Sequence, residues 1–178
     1  MKQLIITALF AFFIAGCSST PDTSGQEGAP VETRGGGVST VTAVGVDGSR
    51  LPAILTDPKS ILSKRSVYFD FDKFEVRDEY KDLVTAHAKF LADNRQFKML
   101  IQGNTDERGS REYNLSLGQK RSDAVKRSLT LLGAREDQVE SVSLGEEKPK
   151  NPGHDESAWA ENRRADILYK APDGRGEF

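Results

Sequence analysis

The sequence is poor in the residue types that build disulfide-rich or metal-binding proteins. It has one cysteine, Cys17, and two histidines in 178 residues. A single cysteine excludes an intramolecular disulfide framework and a zinc site built from several thiolates. The 25 Lys and Arg nearly balance the 27 Asp and Glu, so the chain has no bulk basic field for holding nucleic acid. With 37% hydrophobic and 29% charged residues, it is neither a multi-span membrane protein nor wholly disordered.

The only long apolar run lies at the start of the chain. Eleven of the twelve residues at 4–15 are apolar, which suits a signal peptide, whereas a membrane span needs roughly 20. The run ends in Ile14-Ala15-Gly16-Cys17, which resembles a bacterial lipobox. That resemblance implies a signal peptide at 1–16, a covalent lipid on Cys17 and, because Ser18 and not Asp follows, the outer membrane with the protein facing the periplasm. The alternative is an ordinary signal peptide that ends by chance at a cysteine.

A low-complexity stretch follows this cysteine. Of the 33 residues at 18–50, 19 are Gly, Ser, Thr or Pro, a composition that buries too little surface to offset chain entropy. We predict a flexible tether over 17–63, within which only residues 38–46 have a strand-like composition. The globular domain is predicted over 64–170 and a short tail over 171–178.

Regular periodicities begin after Lys64. Short β-branched or aromatic runs predict strands at 66–69, 97–102, 139–144 and 164–169. Apolar residues at spacings of three and four predict helices at 77–93, from about Asn114 to Gly133, and at 158–162. Alternating strands and helices predict an α/β two-layer sandwich, β-α-β-α-β-(α)-β, with helices on one face of a small mixed four-stranded sheet.

Two opposite charges stand out in this arrangement. Asp106 follows the second strand, where open α/β folds commonly place ligand contacts. Arg121 lies on the next helix, about 70° from the centre of its expected apolar stripe, and its side chain leans back toward the Asp106 loop. A carboxylate facing a guanidinium suits a zwitterionic ligand. The alternative is that the two side chains pair with each other or cap the helix. The expected stripe contains Leu115, Ser122, Val125, Leu129 and Leu132.

Several motifs occur in order over about a hundred residues, and together they resemble the OmpA-like peptidoglycan-binding domain family. The segments are 67–73, 103–109, 113–121, 143–149, 153–156 and 162–164. The resemblance implies a domain that holds the diaminopimelate of the peptidoglycan stem peptide without a covalent bond and needs no cofactor beyond the lipid on Cys17. Asp106 and Arg121 fall on the positions that bind the two ends of diaminopimelate.

The same resemblance implies further contacts and partners. Phe71 and Asp72 would line the pocket, with contacts added by Arg108 and Leu117, while Arg163 would support the pocket or pair with Asp106. Lipoproteins with this domain are also expected to meet TolB, TolA and other members of the Tol system, in envelope integrity and cell division.

An enzyme is the less favoured reading. His87 lies on the apolar face of the first helix and is predicted to be a core residue, and His154 is predicted to make a turn hydrogen bond. Neither has the sequence context of a nucleophilic or metal-dependent site. Asp70 and Asp72 would form an acid/base pair only if the first strand ends before them. A protein-docking module without wall binding is the other alternative.

Overall fold

The structure is a computed structural model that describes residues 52–170 and residue 172. The predicted signal peptide, the lipidation site at Cys17, residues 18–51 of the tether and all of the tail except residue 172 lie outside the described residues.

Four strands and three α-helices alternate along the described chain. The strands are β1 (Ser66–Tyr68), β2 (Lys98–Asn104), β3 (Val139–Gly145) and β4 (Arg164–Lys170). The helices are α1 (Lys81–Asp93), α2 (Arg111–Leu131) and α3 (Glu156–Asn162). Short 3₁₀ turns lie at Ala53–Leu55, Ile61–Ser63, Asp78–Tyr80 and Glu136–Gln138. The predicted order of elements is confirmed, and the first turn of the helix expected from residue 77 is a 3₁₀ turn.

The strands form one mixed sheet in the order β1-β4-β2-β3. Strands β2 and β3 are parallel, and β4 is antiparallel to both β1 and β2. Helix α2 packs against β2 and β3, and α1 packs beside α2. The predicted two-layer α/β sandwich is therefore confirmed. Within residues 52–170, none of the helices has the length and apolar character that crossing a membrane requires.

The hydrophobic core begins earlier in the chain than predicted. Leu55 and Leu62 are 1% and 6% exposed and belong to the same core cluster as Phe97 and Ile101. The predicted tether boundary at 63 is therefore wrong, because the two 3₁₀ turns before β1 pack onto the domain. Sequence periodicity misses them because each turn supplies only one buried leucine.

The prediction that His87 is a core residue is confirmed. Its side chain is fully buried, with Nδ1 2.7 Å from the Tyr169 hydroxyl and Nε2 3.0 Å from the Lys64 carbonyl oxygen. Both ring nitrogens therefore have partners, as a buried imidazole requires. Burial lowers the pKa of His87 to about 4.

Helix α2 differs from the prediction in its start and in its buried face. Ser110, not Asn114, caps the helix, and its hydroxyl accepts a hydrogen bond from the Tyr113 amide. Leu115 and Leu132 are about half exposed, whereas Arg121, expected at the rim of the core, is completely buried. The buried face contains Asn114, Leu117, Gly118, Arg121, Ser122, Val125 and Leu129.

A close contact between two glycines explains why this face is buried. A Cβ atom added at Gly103 in β2 would lie 1.8 Å from the carbonyl oxygen of Gly118, and one added at Gly118 would lie 2.3 Å from Ser143 Oγ. Only glycine allows such an approach of helix and sheet. The contact brings the helix turn after Gly118, which carries Arg121, beneath the loops that follow β1 and β2.

Candidate functional site

A cavity of about 190 Å³ lies among the loop after β1, the loop after β2 and the first turns of α2. Six of the seven residues predicted at the site line it, and the seventh, Arg163, lies behind Asp106. Thus the structure brings the predicted residues together from three separate segments. The lining residues are Phe71, Asp72, Thr105, Asp106, Arg108, Gly109, Tyr113, Asn114, Leu117 and Arg121.

Asp106 is nearly buried and accepts four hydrogen bonds. Oδ1 accepts from the backbone N–H of Arg108 at 3.1 Å and from its Nε at 3.2 Å. Oδ2 accepts from Arg108 Nη2 at 2.8 Å and from Arg163 Nη1 at 3.3 Å. Burial alone would raise the pKa of Asp106, but the hydrogen bonds from Arg108 and Arg163 outweigh it and hold the pKa below its ordinary value. Asp106 is therefore a carboxylate at neutral pH.

Arg121 joins the loop after β1 to the end of β2. Its guanidinium donates from Nε to the Lys73 carbonyl at 2.9 Å, from Nη1 to the Asn104 carbonyl at 2.9 Å and from Nη2 to the Asp70 carbonyl at 3.2 Å. Burial lowers its pKa to about 10, although Asp106 acts in the opposite direction, so it stays charged at neutral pH. Two of its five N–H groups have no acceptor among residues 52–170 and 172, and they remain for a ligand.

Asp106 and Arg121 do not form an ion pair with each other. Arg163, from the end of α3, is the buried partner of Asp106 and also donates to the Phe69 carbonyl at 3.2 Å. Its Nη2 lies 2.6 Å from Glu156 Oε1. The resemblance leaves two roles open for Arg163, and the structure shows the pairing with Asp106. The separate bond from Arg163 to the Phe69 carbonyl holds the start of the loop after β1.

That loop presents Phe71 and Asp72 to the cavity. Asp72 has a left-handed backbone, with φ of 56°, a conformation that Asp adopts more readily than most residues. The Tyr113 hydroxyl donates a hydrogen bond to Asp72 Oδ1 across the cavity. Phe71 is 58% exposed. Strand β1 ends at Tyr68, before both aspartates, but the neighbouring Asp70 does not line the cavity and pairs with Arg77 at 3.5 Å.

Arg108 lies between two aromatic rings at the rim of the cavity. The centre of its guanidinium is 4.3 Å from the Phe71 ring centroid and 4.1 Å from that of Trp159. The Trp159 indole N–H donates to Glu107 Oε1 at 2.9 Å, and His154 Nδ1 lies 2.8 Å from the same carboxylate. The predicted turn hydrogen bond of His154 is therefore wrong, because its partner lies 47 residues away in the chain.

Four cavity residues were missed by the sequence reasoning. Thr105 is buried, and its hydroxyl has no hydrogen-bond partner within the described chain. Gly109 has φ of 113° and turns the chain toward the Ser110 cap. Tyr113 and Asn114 lie in the first turn of α2, and Asn114 donates to Glu146. Ser110 was the sequence signal for Tyr113 and Asn114, because a helix that begins after this serine places both residues beside the Asp106 loop.

The site carries equal numbers of opposite charges. Two carboxylates and two guanidinium groups line the cavity, so a zwitterionic ligand would leave this charge balanced. No group of three potential metal ligands from His, Cys, Asp and Glu occurs in the part of the chain described. The carboxylates are Asp72 and Asp106, and the guanidinium groups are those of Arg108 and Arg121.

Comparison with known proteins gives one consistent family. The model of the OmpA family matches residues 68–163. A peptidoglycan-associated lipoprotein of Pasteurella multocida is 51% identical over 104 residues, 58% of this chain and 69% of the relative. One of Pseudomonas aeruginosa is 37% identical over 160 residues, 90% of this chain and 92% of the relative. The crystal structure of the peptidoglycan-associated lipoprotein from Burkholderia pseudomallei has a TM-score of 0.65 and 59% identity, covering 66% of this chain and 99% of that one.

Proposed function

Because the chain belongs to the OmpA family and resembles peptidoglycan-associated lipoproteins over most of their length, we propose that it binds the stem peptide of peptidoglycan without a covalent bond. The ligand is the diaminopimelate residue of an uncrosslinked peptide. The far end of that side chain carries an ammonium and a carboxylate on one carbon, which matches a cavity lined by both carboxylate and guanidinium groups.

The convergence of Asp106 and Arg121 on one cavity carries this proposal. Arg121 has two N–H groups left for the ligand's carboxylate, and a bidentate bond of this kind is strong and geometrically selective. The ammonium binds to Asp106. The unpartnered Thr105 hydroxyl lies beside these groups and supplies a further hydrogen bond. Phe71, Asp72, Arg108 and Leu117 line the remaining wall, and Phe71, Asp72 and Leu117 contact the peptide.

Both charged groups that would bind the ligand, Arg121 and Asp106, are buried. Arg121 is 0% exposed and Asp106 is 4% exposed. Binding therefore includes a local opening in which the side chains covering the cavity shift. The loop after β1 is the segment best placed to shift, since it is held by hydrogen bonds from Arg121, Arg163 and Tyr113 and not by strand pairing.

The other end of the molecule attaches to the membrane in this proposal. Lipid chains on Cys17 hold the protein in the outer membrane, since two or more acyl chains give stable attachment. The domain faces the periplasm, and the protein tethers outer membrane to cell wall. Its protein partners are TolB, TolA and other Tol proteins, within a system that serves envelope integrity and cell division.

Sedimentation with purified peptidoglycan sacculi tests the binding function. The full-length protein in nonionic detergent is expected to sediment with sacculi, and Asp106→Asn and Arg121→Met to remain in the supernatant. Lys120→Met is the matched control, because Lys120 is the exposed neighbour of Arg121 and should sediment like the wild type. Thermal unfolding of each variant separates lost binding from lost folding.

Two outcomes of this experiment would contradict the proposal. A wild-type protein that stays in the supernatant would overturn the binding function. Unchanged sedimentation of both site variants would overturn the assignment of the site. Release of soluble peptide from the sacculi over time would instead support a cell-wall enzyme.

A further inference from the structure

The carboxylate of Asp106 has no free acceptor position in this structure. A carboxylate offers about four lone-pair positions, and Asp106 already accepts four hydrogen bonds, three from Arg108 and one from Arg163. An ammonium group can bind to Asp106 only if one of these donors leaves.

The two arginines differ in how firmly they are held. The Arg163 side chain is 7% exposed and also bonds to the Phe69 carbonyl and to Glu156. The Arg108 side chain is 32% exposed, and its guanidinium contacts Asp106, Glu156 at 3.6 Å and two aromatic rings. Each arginine side chain makes three polar contacts, but Arg108 moves directly into water, whereas displaced Arg163 would leave its bonds to the Phe69 carbonyl and to Glu156 inside the protein. Arg108 is therefore the donor that leaves.

The aromatic rings beside Arg108 explain how it stays in place without a ligand. Its guanidinium is stacked between Phe71 and Trp159, and the Trp159 ring is itself fixed by the hydrogen bond to Glu107. A guanidinium stacked on aromatic faces is stabilised by cation–π attraction. Phe71 lies on the loop after β1, so the stack also links that loop to α3.

We propose that Arg108 is an internal substitute for the ligand's ammonium group. Its guanidinium occupies two of the four acceptor positions of Asp106, and the ligand binds by displacing it. This inference rests on the proposed function and gives Arg108 a competing role in place of a ligand contact. Arg108 and its two aromatic neighbours thereby set the affinity of the site for ammonium-bearing ligands.

Removing the guanidinium should therefore strengthen binding. We expect Arg108→Met in the full-length protein to bind a diaminopimelate-containing stem tripeptide roughly tenfold more tightly than the wild type, the scale of a hydrogen bond to a charged group. Asp106 keeps its partner Arg163, so the variant leaves no unpaired buried charge. Arg111→Met is the matched control, because Arg111 is a 73% exposed cation three residues away. Isothermal titration calorimetry in nonionic detergent measures each affinity.

The single tryptophan supplies a second readout. Displacement of Arg108 uncovers one face of Trp159, so the tripeptide should change tryptophan emission in the wild type and change it much less in Arg108→Met. Equal or weaker binding by Arg108→Met, with the wild type still binding, would overturn the role of Arg108 alone. A wild type that does not bind the tripeptide would overturn the proposed function.

Discussion

The buried imidazole of His87 makes the stability of the domain depend on pH. In the unfolded chain this side chain titrates near its ordinary pKa of 6.5, whereas burial lowers the folded value to about 4. Between these values the unfolded state binds more protons than the folded state. The stability contributed by neutral His87 is therefore complete above pH 6.5 and is lost as the pH falls toward 4.

The two pKa values give the magnitude. Between pH 7 and pH 5 the linkage relation predicts that His87 removes about 2 kcal/mol from the free energy of unfolding. Urea denaturation at a series of pH values measures this loss. Glutamine at position 87 can bond to both the Tyr169 hydroxyl and the Lys64 carbonyl but does not titrate, so His87→Gln should lose about 2 kcal/mol less than the wild type over this range.

The comparison of the two proteins isolates His87. The other histidine, His154, is present in both, so its contribution cancels. Parallel stability curves for the wild type and His87→Gln over that range would refute the reasoning, because they would show that neutral His87 contributes no pH-dependent stability.

Two further predictions concern the packing of α2 and are checked by urea denaturation. Gly103→Ala places a methyl group against the carbonyl oxygen of Gly118. Because this overpacks a rigid contact, the substitution should lower the free energy of unfolding by about 3 kcal/mol. A loss below about 1 kcal/mol would contradict the close contact. Leu129→Ala should cost about 2–5 kcal/mol because Leu129 is fully buried, whereas Leu115→Ala should change stability by less than about 0.5 kcal/mol. Similar costs for the two substitutions would support the apolar stripe expected from the sequence, which contains both leucines.

The sheet and its helices could be predicted because their residues repeat regularly. Strands β2 and β4 read as short apolar or β-branched runs, and α1 has apolar residues at helical spacing. The boundaries at β1 and at residue 63 were less predictable. Tertiary contacts fix both boundaries. The Phe69 amide, one residue beyond β1, donates a hydrogen bond to the Arg163 carbonyl, and Leu55 and Leu62 from two separate 3₁₀ turns pack into the core.

The residues of the site could be named from family motifs, and the resemblance offered the pairing of Arg163 with Asp106 as one of two roles, but local patterns do not show how the site residues pair. Helical periodicity places Arg121 at the edge of the expected apolar stripe, and its charge favours a position near the surface. The structure buries it because three backbone carbonyls, two in the loop after β1 and one at the end of β2, converge on its guanidinium. Likewise, Arg163 pairs with Asp106 across 57 residues of sequence. Such contacts depend on the glycine contact between α2 and β2, which no local pattern reveals.

One calorimetric comparison tests whether the cavity recognises both charges of diaminopimelate. Two stem tripeptides are titrated into the full-length protein, one with diaminopimelate and one with lysine at the third position. Lysine keeps the ammonium but lacks the carboxylate that Arg121 binds. We expect the lysine peptide to bind roughly 100-fold more weakly, because two N–H groups of the buried Arg121 guanidinium are left without an acceptor. Equal affinities for the two peptides would contradict it.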